Sequence, residues 1–69
     1  MQAIIQELES RKSEIEGAIE LLFKTNMKIT DWDVPEADDR QAAEILLDMM
    51  QTKIEAIRAD VTAGKYNNY

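Results

Sequence analysis

Residues 18–50 read AIELLFKTNMKITDWDVPEADDRQAAEILLDMM, two apolar stretches of helical period on either side of one short acidic turn. Before the turn, Ala18, Ile19, Leu21, Leu22, Phe23 and Met27 cover most of a helix circumference. After it, Ala42, Ala43, Ile45, Leu46, Leu47, Met49 and Met50 do the same. A pair of helices has one inner face, so apolar residues on additional faces must be covered by something else. Large contiguous apolar patches are uncommon on soluble monomers.

Outward from this stretch the pattern continues in both directions. Ile5, Leu8, Lys12, Ile15, Ile19, Leu22, Asn26 and Ile29 alternate in steps of three and four, and predict a first helix over about 2–27. Ala43, Leu47, Met50, Ile54, Ile57 and Val61 do so without a polar interruption, and predict a second helix over about 35–63. The acidic turn then falls at about 28–34. Asp33-Val34-Pro35-Glu36 reads as a helix start, with Asp33 as N-cap, Pro35 near the first helical position and Glu36 closing a capping box. Thr30 offers a competing cap. Gly64 suits the residue just past a helix end, which leaves 64–69 as a short tail expected to fray. The expected fold is all-α, an antiparallel two-helix hairpin over 1–63. With the turn near 30–33, Ile15 and Gly17 would sit beside Leu46–Met50, and the small residues Ser10, Ser13 and Gly17 would face bulky ones.

Size and composition point to self-association. Below about 70–80 residues a single core rarely supplies more than about 3–5 kcal/mol, and small folds add disulfides, metals or partners. In 69 residues there is no Cys and no His, so disulfides, thiolate metal sites and the commonest general base are all missing. Association remains, and two hairpins pairing as a homodimer would give a four-helix bundle. In plan this resembles the small plasmid RNA-regulating proteins of the Rop family. The resemblance covers architecture alone; no shared motif carries a function or a site across.

The net charge is −6, and residues 30–63 carry nine acids against three bases. That balance weighs against direct nucleic-acid binding, which needs Lys and Arg at phosphates. No apolar run approaches the ~20 residues of a membrane span, and Met1 leads directly into an amphipathic pattern with Glu7 and Glu9 rather than a signal peptide. A cytoplasmic protein is the expectation. No nucleophile–base set and no Gly-rich phosphate loop occurs, so an enzyme is not expected, nor is a cofactor. The acids Asp31, Asp33, Glu36, Asp38 and Asp39 could suggest a hard cation, but an EF-hand spacing fails: Glu36 stands where its Gly belongs and Ala42 where its bidentate Glu belongs. Acids capping a helix N-terminus are the simpler account.

The expected contact surface is the apolar zone beside the turn, formed by Leu21, Phe23, Met27, Trp32, Ile45 and Met49 and rimmed by those five acids. Trp32 could close the bundle end or serve as an exposed anchor. Lys12 is expected to snorkel from the seam to water. The function that follows is a non-enzymatic protein-binding module, an inhibitor, adaptor or regulator built on a homo-oligomeric bundle. Its size fits the accessory proteins of phages and mobile elements. Two other readings stand beside it. One is an acidic mimic of nucleic acid that occupies a basic cleft. The other is a bundle holding a small anionic ligand near Arg11, Lys12, Lys24 and Lys28.

Overall fold

Pro35 decides where the chain turns, because the residue before a proline is pushed out of the helical region. Val34 obeys, with φ −132° and ψ 77°. The computed structural model describes residues 2–69 and consists of three helices: α1 (Gln2–Ser10), α2 (Lys12–Asp33) and α3 (Asp39–Thr62). No strand occurs among the described residues.

The count of three corrects the expected two. What was read as one first helix is broken at Arg11, which has φ −105° and ψ 7°. Ser10 Oγ donates to the Glu7 carbonyl at 2.7 Å, and the Arg11 amide bonds to Leu8 rather than Glu7. A serine that turns back on its own helix competes with the regular ladder. The apolar spacing runs on through Arg11 without a shift, and neither Gly nor Pro marks the place.

The turn is also displaced. α2 continues six residues beyond Met27, so the turn lies at 34–38 instead of 28–34. Thr30 Oγ1 donates back to the Asn26 carbonyl and Asn26 Nδ2 to the Leu22 carbonyl, so both polar residues sit inside the helix and neither caps the next one. The N-cap of α3 is Asp38, not Asp33. Its carboxylate accepts from the Arg40 amide at 2.9 Å and the Gln41 amide at 3.5 Å. At the far end Gly64 takes φ +90°, the Lys65 amide reaches the Asp60 carbonyl, and the Gly64 amide reaches the Val61 carbonyl. This is a Schellman closure. Instead of fraying, the tail forms further turns, with the Tyr66 and Tyr69 rings 5.3 Å apart.

α2 and α3 meet only near the turn. The half-buried residues of α2 are Phe23, Asn26, Met27 and Thr30, one helical face by spacing. Those in the contact stretch of α3 are Ala42, Ala43, Leu46 and Met50. Before Phe23, every described side chain of α1 and α2 is exposed. The extents are 49 × 27 × 17 Å. Residues 2–33 at 1.5 Å rise would span about 48 Å, which accounts for the long axis. Two helices packed side by side, with axes 8–10 Å apart, would be about 15 Å wide between Cα atoms, so α3 splays away from α2. The radius of gyration is 15.9 Å, against about 11 Å for a compact domain of this length. Among the described residues none is buried.

Two expectations therefore change. The seam residues Ile15, Ile19, Leu22 and Ile29 are not at the α2–α3 contact and stay exposed, as do Leu47, Ile54, Ile57 and Val61. Gly17 does not pack against Leu46–Met50: a Cβ built there meets nothing within 4 Å. Moving the turn to 34–38 moves every opposing pair with it. Gly17→Ala should accordingly stabilise the helix by about 1 kcal/mol, and Asp38→Ala should cost about 1 kcal/mol while Asp33→Ala does not. Urea melts followed by circular dichroism distinguish these three variants.

Candidate functional site

The six apolar residues expected to form one surface are distributed over two faces and an internal contact. Phe23 and Met27 belong to the α2–α3 contact and are half-buried there. Ile45 and Met49 are exposed on α3 and line an open groove of about 260 Å³ at the turn. Thr30, Val34, Ala37 and Ala42 complete its apolar floor, with Asp38 and Gln41 beside them. A shallower continuation runs along α3 past Asp48 and Thr52. The groove exists because Pro35 holds the chain away from α2 for five residues before α3 begins.

Leu21 and Trp32 lie elsewhere. Leu21 is two residues before Phe23, about 200° around the helix, on the side away from α3. Eleven residues later Trp32 returns to the same side. Both are exposed, Leu21 by 65% and Trp32 by 86%. Trp32 therefore does not close the end of the helix pair. An exposed indole on a helix end is the kind of side chain that anchors protein interfaces.

The five acids have unequal surroundings. Asp38 and Asp39 lie at the start of α3, where negative charge complements the helix dipole. Glu36 lies in the turn. Asp31 and Asp33, in contrast, occupy the last turn of α2, where no basic residue accompanies them. Carboxylates at that end oppose the dipole. Capping thus accounts for part of the acidic segment and not for these two. Asp31 also has a like-charged neighbour across the turn: a hydrogen bond with the Asp39 carboxyl, slight desolvation and the Asp39 charge together raise its pKa above the ordinary value. Among the described residues no group of three or more potential ligands is placed to hold a metal ion.

The ion pairs of the chain are all local and exposed: Arg11–Glu14, Glu20–Lys24, Arg40–Glu44, Glu55–Arg58 and Asp60–Lys65, at 3.2–3.8 Å. Such pairs contribute little to stability. Among the described residues Lys12, Lys28 and Lys53 make no ion pair, nor do the acids at 31, 33, 36, 38 and 39. Among the described residues no helix is long and apolar enough to cross a membrane.

The Asp31–Asp39 pair has a definite pH signature. A raised folded-state pKa means that the folded chain binds the proton more tightly than the unfolded one. The pair's contribution to stability is therefore greatest in acid and declines as pH rises through the raised value. Asp31→Asn should raise the melting temperature at pH 7, and the gain should vanish on acidification below the ordinary Asp range. Thermal melts of both chains across pH 3–7, an interval of about four units spanning the carboxylate range, check this.

Compared with known proteins, the chain matches no protein-family model, no curated protein and no solved structure.

Proposed function

We propose that this chain is a small, non-enzymatic protein–protein interaction module that works as a homo-oligomeric helical bundle. In this reading α2 and α3 close as a hairpin when a second copy covers their apolar stripes, and the pair of hairpins forms a four-helix bundle. The assembled module then binds another protein as an inhibitor, adaptor or regulator.

One observation carries the proposal: no described residue is buried, while large apolar side chains at seam spacing stand exposed on each long helix. Ile15, Ile19, Leu22 and Ile29 on α2, and Leu47, Ile54, Ile57 and Val61 on α3, are between 39% and 53% exposed. Folding stability derives chiefly from removing such surface from water, and a chain that leaves it exposed gains this stability only by association. Obligate homodimers behave in this way, with no stable folded monomer. The face carrying Leu21 and Trp32 lies outside both stripes and stays available to a different protein after the copies have joined.

Sedimentation equilibrium at micromolar concentration should return at least a dimer, and dilution should lower the helical circular-dichroism signal as the species dissociates. Ile57→Asp should shift the assembly to monomer and reduce helicity, whereas Glu9→Ala should change neither. Trp32→Ala should preserve the assembly and weaken capture of a protein partner. A monomer of undiminished helicity at every concentration overturns the proposal.

A further inference from the structure

The seam of α2 has a symmetry that a single chain does not use. From Lys12 to Asp33 it runs Lys12, Ile15, Ile19, Leu22, Asn26, Ile29, Asp33, in alternating steps of three and four. Read backwards about Leu22, Ile15 exchanges with Ile29, Ile19 with Asn26, and Lys12 with Asp33. The end residues carry opposite charges, and neither makes an ion pair among the described residues. Asp33 moreover lies at the end of α2 that disfavours a carboxylate.

We infer that α2 pairs antiparallel with α2 of a second copy, about a two-fold axis at Leu22. The inference rests on the homo-oligomeric reading above and specifies its geometry. A two-fold interface is isologous, so each residue pairing occurs twice. The seam then supplies Leu22 on Leu22 at the axis, Ile19 against Asn26 next to it, and Ile15 on Ile29 beyond. At each end the Lys12 ammonium meets the Asp33 carboxylate of the second copy. Opposite charges at interface edges fix orientation and register, and a parallel pairing would place Lys12 on Lys12 and Asp33 on Asp33.

The absence of native Cys makes the test direct. Single variants Ile15→Cys, Leu22→Cys and Ile29→Cys are oxidised mildly, alone and in mixtures, with helicity checked for each. Leu22→Cys should give covalent dimer alone. Ile15→Cys and Ile29→Cys should each give none alone and cross-link with one another on mixing. Cross-linking of Ile15→Cys alone to the same yield as the mixture overturns the antiparallel pairing. That outcome leaves a sedimenting dimer, and so differs from a chain that sediments as a monomer, which defeats the oligomeric reading itself.

Discussion

Four side chains of α2 resting on four of α3 are what join the two long helices, and everything else about the molecule follows from how short that contact is. Phe23, Asn26, Met27 and Thr30 occupy about two turns. Of these, Asn26 and Thr30 spend their donors on carbonyls of their own helix. Opposite them are two alanines, a leucine and a methionine. A seam of this kind fixes a turn, but it does not make an interior. Beyond it the helices diverge, and the apolar stripes that the sequence carries along their whole length are left uncovered.

The turn itself is well determined. Pro35 forbids helix at Val34, Asp38 supplies the cap that α3 needs, and the Schellman closure at Gly64 finishes that helix with its terminal carbonyls satisfied. Local chemistry therefore specifies three helices and where they end. It leaves open how far the helices close on one another, because that depends on how much apolar surface is within reach. Helices of this length gain most of their stability from tertiary packing of an amphipathic face rather than from propensity. In the proposed assembly of this 69-residue chain, which has no disulfides, a second copy would supply such packing.

The helical class was legible from periodicity, and Gly64 from its position after a long run of helix formers. The break at Arg11 was not, because its cause is the hydroxyl of Ser10 reaching the Glu7 carbonyl, a choice that spacing does not record. The turn was misplaced by several residues because Asp33 before Val34-Pro35 reads as a cap, whereas α2 runs on to Asp33 and Asp38 makes the cap bonds. The contact face was missed for a different reason. Where a helix is apolar on several sides, periodicity identifies more than one face that could be inner; Asn26, Ala43 and Met50 of the contact lie on the regular seams, whereas Phe23, Met27 and Thr30 lie beside them. The candidate surface divided accordingly: Phe23 and Met27 were absorbed by the contact, Ile45 and Met49 went to the groove, and Leu21 and Trp32 to the outer side of α2.

This division has a physical logic. An apolar face recruited for self-association cannot also remain open to a different partner, so a small chain that does both needs faces of different character. The stripes of α2 and α3 are regular, aliphatic and long, which suits helix against helix. The side of α2 carrying Leu21 and Trp32 is sparse, with Thr25 and Lys28 between the two apolar residues, too discontinuous to drive bundle formation and large enough at Trp32 to anchor a contact. Charge divides along the same line. The acids after Thr30 would keep like surfaces apart except where a lysine answers them, and in the proposed α2 pairing that lysine is Lys12. A charge at a seam position weakens association in the wrong register more than in the right one. Lys12, the one basic residue in a stripe that is otherwise apolar as far as Asn26, is thus better understood as a determinant of orientation than as a flaw in the helix face.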